Sequence, residues 1–153
     1  MASRLFKRIG FCTDFSENAD LAFETATALA EDSGATLYII HVMVNFSLSP
    51  PVHATYMPIE YDPGFVEEVT QAAMKSIQEK YIDRLPAGLS FEVSLQSGYA
   101  STEILKVVEE QGIDLLVMGS HGLTGLAHVL FGSTADRLVR KALCSVLTVR
   151  AKK

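Results

Sequence analysis

With 153 residues, of which 48% are hydrophobic and 20% are charged, the chain has the composition of a globular protein, and we expect one domain over residues 1–153. The net charge of −5 argues against nucleic acid or an anionic membrane as the main partner, because such binding depends on clustered lysines and arginines. No apolar run is long enough to predict a membrane span, and the N-terminus lacks the pattern of a signal peptide, so we expect a cytoplasmic protein.

The first part of the chain predicts a strand, a helix and a second strand. Residues 8–13 form an apolar run, and the stretch 14–19 that follows contains several residues able to cap a helix. Apolar residues at helical spacing then continue to Gly34, where the helix should end. The run 36–42 is apolar on both faces, which is typical of an interior strand of a parallel sheet.

This periodicity is lost between residues 43 and 62, where prolines are frequent and charges are rare. A connection of this length indicates a mobile segment or a contact surface. Pro63 fits the first position of a second helix, which should reach about Leu85. Its predicted apolar stripe consists of Phe65, Val69, Ala72, Ala73, Ile77 and Tyr81.

The second half of the chain continues the alternation. Apolar and polar residues alternate over 89–96, which predicts a strand with one wet face at or near a sheet edge. A helix over 98–112, a buried strand over 113–118, a helix from Ala135 and a last strand over 145–149 follow. Strands that alternate with helices imply right-handed βαβ units, so we predict an α/β fold with a five-stranded parallel sheet and four helices on its two faces.

A glycine-rich loop connects the fourth predicted strand to the last helix. Its glycines would let backbone amides approach an anion, and the helix N-terminus would add unpaired N–H groups and a positive dipole end, which suits a phosphate. The alternative is that the glycines serve only the turn. In that case Ser133 and Asp136 would form a capping box, in which the serine hydroxyl accepts a hydrogen bond from the backbone amides of the helix itself.

The expected topology places an acidic residue opposite this loop. Ligands of open α/β sheets bind at the C-terminal strand ends where the strand order reverses, and an order of 3-2-1-4-5 puts that reversal between the first and fourth strands. Asp14 would then face the glycine-rich loop, an arrangement that suits a nucleotide, unless it only caps its helix. The motifs of dinucleotide-binding proteins and of P-loop kinases are both absent from the sequence.

These stretches resemble the motifs of the universal stress protein family. The resemblance rests on Thr13-Asp14-Phe15-Ser16, on Ile40-His41-Val42, on Met118-Gly119-Ser120-His121-Gly122 and on the spacing Gly119-x2-Gly122-x9-Gly132-Ser133. It covers nearly the whole chain and implies a Rossmann-like fold of the adenine-nucleotide α-hydrolase type, assembled as a homodimer. The second glycine cluster and its hydroxyl residue imply the ATP-binding branch of the family.

The resemblance also implies a site for ATP, or for ADP or AMP, with Mg²⁺ or Mn²⁺ on the phosphates. Ribose and phosphates would be held by Gly119, Gly122, Gly132, Ser133 and Thr134. The adenosine would be surrounded by Thr13, Asp14, Val42 and Met118, with backbone groups of Val42 reading the adenine edge. His121 belongs to the same motif and is included among the binding residues, although the histidines are too dispersed to predict a metal site.

The glycine-rich loop departs from its apparent relatives in two places. Many of them carry a basic residue directly after the second glycine or near the middle of the following segment, where this chain has Leu123 and His128. Fewer fixed charges would face the phosphates, so the preference among ATP, ADP and AMP stays open. At the other edge of the sheet, the last strand is an open template with which a second copy could pair.

We therefore interpret the chain as an ATP-binding stress-response protein that acts as a nucleotide-dependent sensor or regulatory module with an unidentified protein partner. Any hydrolysis should be slow, because the motif contains no evident general base and no arginine finger. One alternative is a slow ATP hydrolase or adenylyl-transferring enzyme, in which Asp14 or His121 would perform the chemistry. Another is a dimeric interaction protein that binds no nucleotide.

Overall fold

The computed structural model describes residues 5–44, 63–121 and 132–151. Within these ranges five strands alternate with four α-helices and one short 3-10 helix. The strands are β1 (Arg8–Thr13), β2 (Thr36–Val44), β3 (Phe91–Gly98), β4 (Leu115–Gly119) and β5 (Ser145–Val149). The helices are α1 (Glu17–Ser33), α2 (Pro63–Lys80), α3 (Ala100–Gln111) and α4 (Ser133–Lys141), and the 3-10 helix spans Ile82–Arg84.

The strands form one parallel sheet in the order β3-β2-β1-β4-β5, which confirms the predicted fold class and strand order. β1 is the central strand and is buried from Ile9 to Thr13, which explains its uninterrupted apolar sequence. β3 lies at one edge, as its alternating sequence predicts, and β5 lies at the other.

Two hydrophobic clusters cover the two faces of the sheet. On one face α1 and the end of α2 pack against β1, with Ile9 and Phe11 fully buried. On the other face α3 and α4 pack around Ile40 and Leu116. Because both faces are covered, the ends of the strands are where a ligand can reach the sheet. Within the three described ranges, none of the helices combines the length and apolar character required to cross a lipid bilayer.

β4 begins two residues later than predicted, and the two residues before it make hydrogen bonds to a helix and through a side chain. β4 begins at Leu115 because the Ile113 N–H still donates to α3, to the carbonyl of Val108. The next residue, Asp114, then accepts hydrogen bonds from the backbone N–H groups of Lys7 and Arg8 at 2.8 and 3.2 Å.

β2 and β3 also differ from their predicted bounds, and both end two residues later than predicted. β3 in addition starts later, at Phe91, because Leu89 belongs to a turn in which its N–H donates to the Pro86 carbonyl. β2 continues to Val44, where it still pairs with the last residue of β3. The remainder of the predicted irregular connection, residues 45–62, lies outside the described residues.

The apolar stripe of α2 is buried only toward the end of the helix. Ala73 and Ile77 are buried, and Tyr81, directly after the helix, has no exposed surface. Phe65 is 45% exposed, and Ala72 is exposed as well. The prediction of a continuous inward stripe is therefore wrong for the first turns, because only the C-terminal end of α2 joins the hydrophobic cluster on this face of the sheet.

Candidate functional site

The sheet divides between its two central strands. β1 and β4 pair only as far as Phe11 and Val117. Beyond this point β1 remains paired with β2 as far as Thr13, whereas β4 remains paired with β5 as far as Gly119. A crevice therefore opens at the C-terminal ends of β1 and β4, where the strand order reverses, as the topology predicts.

A cavity of about 370 Å³ occupies this crevice and has a size typical of small-molecule sites. It is lined by every predicted binding residue that the structure describes: Thr13, Asp14, Val42, Met118, Gly119, His121, Gly132, Ser133 and Thr134. The predicted residue Gly122, and with it Leu123 and His128, lies outside the described residues. The fold thus brings together side chains and backbone from both ends of the chain.

One wall of the cavity is apolar, and its residues are missing from the predicted set. Cys12 and Ile40 come from β1 and β2, Ala100 and Ile104 come from α3, and Leu138 comes from α4. In the sequence these residues have the same periodicity as the core, so the pattern could not separate the two roles. Ala100 is the exception, because it lies just after the C-terminal end of a strand, β3, as Asp14 lies just after β1, and this position could have indicated a place at the site.

Cys12 and Cys144 are both free thiols. Burial raises the pKa of the Cys12 thiol, so this part of the cavity wall is uncharged at neutral pH. Cys144 is only half-buried, and partial burial raises its pKa as well.

Asp14 is positioned by a tight turn that follows β1. Its Oδ1 accepts a hydrogen bond from the Ser16 N–H at 3.0 Å. Ser16 is the N-cap of α1, and its hydroxyl oxygen accepts from the Ala19 N–H at 3.3 Å. The alternative that Asp14 is itself the helix cap is therefore wrong. The capping position belongs to Ser16, and Asp14 lines the cavity instead.

The residue between them, Phe15, has a φ of 64°. This left-handed conformation costs roughly 1–2 kcal/mol for a residue that carries a Cβ. Its N–H donates to the Thr13 hydroxyl at 2.9 Å, and its ring centroid lies 4.4 Å from that of His41. His41 also reaches the Thr13 carbonyl, with Nδ1 as the donor at 2.8 Å. These contacts hold the turn in its strained form and so determine where Asp14 lies.

Gly119, on the opposite side of the crevice, is in close contact with the first turn of α1. A Cβ at this position would lie 2.8 Å from the Cβ of Asn18 and 2.9 Å from its carbonyl carbon. The Asn18 amide also donates to the His121 carbonyl at 3.2 Å, which fixes the start of the glycine-rich loop. The requirement for glycine at position 119 therefore has a packing cause that is independent of any ligand.

Gly132 lies next to the end of β4 in the crevice, where its N–H donates to the Ser120 carbonyl at 2.9 Å. α4 begins at Ser133 rather than Ala135, and Gly132 is its N-cap. The capping box, which was the alternative to an anion site, is therefore wrong, because Ser133 is already the first helical residue. As a glycine, the N-cap supplies no side-chain oxygen to the first-turn amides. Gly132, Ser133 and Thr134 line the cavity, so the positive end of α4 lies at its wall.

Among the described lining residues, Asp14 is the carboxylate and His121 is the histidine. His121 Nδ1 lies 3.0 Å from the hydroxyl of buried Ser120. Arg137 of α4 is half-buried, with its guanidinium carbon 5.6 Å from the ring centroid of Tyr99. Across the described ranges, no group of three or more His, Cys, Asp or Glu side chains is arranged to hold a metal ion.

Comparison with known proteins agrees with this architecture. The model of the universal stress protein family matches residues 5–150. Universal stress protein MJ0577 of Methanocaldococcus jannaschii is 27% identical over 98% of both chains. Universal stress protein MJ0531 of the same organism is 30% identical over 97% of this chain and 85% of its own.

Solved structures show the same fold. That of MJ0577 superposes with a TM-score of 0.78 at 27% identity and covers 97% of this chain and 99% of its own. A universal stress protein in complex with cAMP superposes with a TM-score of 0.65, covering 95% of this chain and 97% of its own. At 22% identity, this second similarity concerns the fold alone.

Proposed function

Because the chain belongs to the universal stress protein family, we propose that it binds ATP in the crevice between β1 and β4 and acts as a nucleotide-dependent sensor or regulatory module of the stress response. In this proposal it belongs to the ATP-binding branch and works in the cytoplasm with a protein partner. One observation carries the assignment. A single cavity joins a carboxylate, an apolar wall and the N-terminus of a helix, which are the groups that a nucleotide requires.

The apolar wall is suited to the base. Ile40 and Ile104 offer flat hydrophobic surface on the side of the cavity between β2 and α3. Val42 adds a backbone carbonyl, because the pairing of β2 with β1 ends at His41 while β2 itself continues. This carbonyl, which has no residue of β1 beside it, can then accept a hydrogen bond from the edge of an adenine ring.

The phosphates are assigned to the opposite end of the cavity. The amides of Ser133 and Thr134 lie in the first turn of α4, where the helix dipole favours an anion by roughly 0.3–1 kcal/mol. None of the described lining residues is a lysine or arginine, so we assign part of the charge compensation to Mg²⁺ or Mn²⁺ bound to the phosphates. Asp14, on the β1 side, is then placed to accept hydrogen bonds from the ribose hydroxyls.

The ligand class has a precedent within the fold. A universal stress protein with the same architecture has been crystallised with cAMP, which supports an adenine nucleotide as the occupant. ADP and AMP share the base and the sugar with ATP and are the natural competitors for the site. We expect ATP hydrolysis to be slow compared with that of dedicated ATPases, because the described lining residues include no arginine that could stabilise the charge of the transition state.

Calorimetric titration of ATP with and without Mg²⁺ tests the proposal. The titration is repeated on two variants of the turn that follows β1, one at the site and one at the helix cap. Asp14→Ala should weaken ATP binding roughly 10- to 100-fold, because a hydrogen bond to a charged group is worth about 1.5–3 kcal/mol. Ser16→Ala removes the helix cap, which should lower stability by about 1 kcal/mol and leave ATP affinity unchanged.

Three results would count against this assignment. Wild-type protein that binds no ATP would favour the interaction protein without nucleotide. Equal affinity of Asp14→Ala and the wild type would remove Asp14 from the site. Phosphate release or adenylyl transfer at many turnovers per minute would favour the enzyme over the regulatory module.

We also propose a homodimer formed through β5. The strand lies at a sheet edge, and Leu147 on it is 36% exposed. Leu143, just before the strand, is 92% exposed. An edge strand flanked by exposed apolar side chains can pair with the same strand of a second copy, which would satisfy its backbone groups and cover this surface.

A further inference from the structure

A chain of hydrogen bonds lies behind Asp14, on the face of the sheet opposite the cavity wall. The Thr13 hydroxyl lies 2.6 Å from the phenolic oxygen of Tyr81, and the bond is buried. The same phenol donates to Asp20 Oδ1 at 3.2 Å. These three residues come from β1, from the segment after α2 and from α1, so the chain connects three elements.

The direction of each bond follows from the donors that are available. A phenol has one hydrogen, and Tyr81 gives it to the Asp20 carboxylate, which can only accept. Thr13 must therefore donate to Tyr81 and is left to accept from the Phe15 N–H at 2.9 Å. Each hydroxyl donates once and accepts once, an arrangement in which neighbouring hydrogen bonds strengthen one another.

Tyr81 is held rigidly enough to serve as the fixed end of this chain. Its side chain has no exposed surface. Its ring lies 5.1 Å from that of Phe11, edge-on, and 4.9 Å from that of Phe23. The preceding residue, Lys80, donates to the Phe15 carbonyl at 3.2 Å. Phe15 is thus held at its N–H by Thr13, which is bonded to Tyr81, and at its carbonyl by the side chain of Lys80.

We propose that Tyr81 is a positioning residue for the nucleotide site, which acts through Thr13 and the backbone of Phe15 to orient the Asp14 carboxylate. The inference rests on the proposed function for its ligand. Its structural basis is the left-handed conformation of Phe15, which the Thr13 hydroxyl supports through the Phe15 N–H. Without that support, the turn that presents Asp14 to the cavity can relax toward an ordinary conformation.

The test compares Tyr81→Phe, which removes only the hydroxyl, with Ile77→Val, which trims a buried residue one turn earlier. Calorimetry should show that Tyr81→Phe weakens ATP binding roughly 3- to 10-fold, in line with the loss of a neutral hydrogen bond. Ile77→Val should lower the melting temperature and leave ATP affinity unchanged. A general loss of stability would affect both variants alike.

A double-mutant cycle separates positioning from a merely structural role. If Tyr81 acts through Asp14, the affinity loss caused by Tyr81→Phe should disappear in an Asp14→Ala background. An equal loss in both backgrounds, or wild-type affinity in Tyr81→Phe, would overturn the inference.

Amide hydrogen exchange tests the same mechanism without any ligand. The Phe15 and Ser16 amides should exchange faster in Tyr81→Phe than in the wild type, and the change should be absent in Ile77→Val. If the wild type binds no ATP, the proposed function fails while this measurement still decides the positioning role. Unchanged exchange in Tyr81→Phe would overturn that role.

Discussion

Glycine at position 119 shows, at the scale of single residues, how one position can look functional in sequence and be required by packing. The missing Cβ leaves room for Asn18 of α1, whose carbonyl carbon belongs to the rigid helix backbone. At Gly10 an added Cβ would also meet neighbours at 2.9 and 3.0 Å, but these are the terminal methyl groups of Ile113 and Leu116. Such methyl groups can shift, whereas a helix backbone cannot move alone.

We therefore expect Gly119→Ala to reduce the free energy of unfolding by about 1–3 kcal/mol, as overpacking usually does. Gly10→Ala serves as the matched control and should cost less. Urea titrations of both variants measure the difference. A Gly119→Ala variant as stable as the wild type would show that α1 yields to the added methyl group.

Tyr81 gives a pH prediction at the same scale. Burial raises the pKa of the phenol, the Thr13 hydrogen bond lowers it, and the charge of Asp20 raises it. Because the net shift is upward, the folded state holds this proton more tightly than the unfolded chain does. The associated stability is present below the ordinary tyrosine pKa of about 10 and is lost as the pH rises above it.

Melting temperatures measured from about pH 8 to 11 should therefore fall more steeply for the wild type than for Tyr81→Phe. The comparison cancels the contributions of the lysines and of Cys12, which both proteins share. Parallel curves for the two proteins would mean that Tyr81 does not titrate with unfolding in this range.

At the scale of elements, the start of α4 combines a weak cap with a proposed anion site. Gly132 has φ −65° and ψ 157°, a conformation that a residue with a side chain can adopt. Gly132→Asp would place a carboxylate on the first-turn amides and should raise stability by roughly 0.5 kcal/mol. The same carboxylate would repel the phosphates, so we expect ATP affinity to fall roughly tenfold or more.

Gly132→Asn is the control for this change, because its side chain has the same size and can cap the helix without a charge. It should stabilise α4 to a similar degree and weaken ATP binding less. Thermal melts and ATP titrations of both variants are the measurements. Unaltered ATP affinity in Gly132→Asp would place the phosphates away from α4.

Sequence patterns predicted the elements well where the local sequence alone determines the backbone conformation. β1, β5 and the ends of α1 and α3 follow from apolar runs and from glycines at the left-handed C-caps. The start of α4 was misplaced because Ser133 resembles a cap but already lies in the helix. The first turns of α2 were misjudged because periodicity shows which residues share a face and does not show whether another element covers it.

At the scale of the whole molecule, the strand order and the position of the crevice were predictable because they follow from topology rather than from side-chain detail. Topology and the glycine pattern placed Asp14 and the glycine-rich loop on the two sides of the crevice, whereas Val42, Met118 and the individual loop residues could be named only through the family resemblance. The contact of Tyr81 with Thr13 had no signal in the sequence, since it joins positions 68 residues apart in the chain and depends on how α2 packs.

The proposed dimer gives a prediction at this scale. Leu147→Lys would place a charge on the exposed edge strand β5 and should convert the dimer to a monomer in sedimentation analysis. Phe91→Lys, at the opposite edge on β3 and of similar exposure at 39%, is the matched control and should stay dimeric. A wild-type protein that sediments as a monomer would refute the interface.

The short pairing of β1 with β4 leaves a seam in the middle of the sheet. On one side lies the β3-β2-β1 half, and on the other lies β4-β5. A ligand that spans the crevice would contact Asp14, which follows β1, and Ser133, which follows β4 in the chain. It would therefore link the two sides of the seam by noncovalent contacts. Occupancy then increases resistance to unfolding in proportion to the logarithm of ligand concentration, because the ligand adds contacts across the seam that the unfolded chain cannot make.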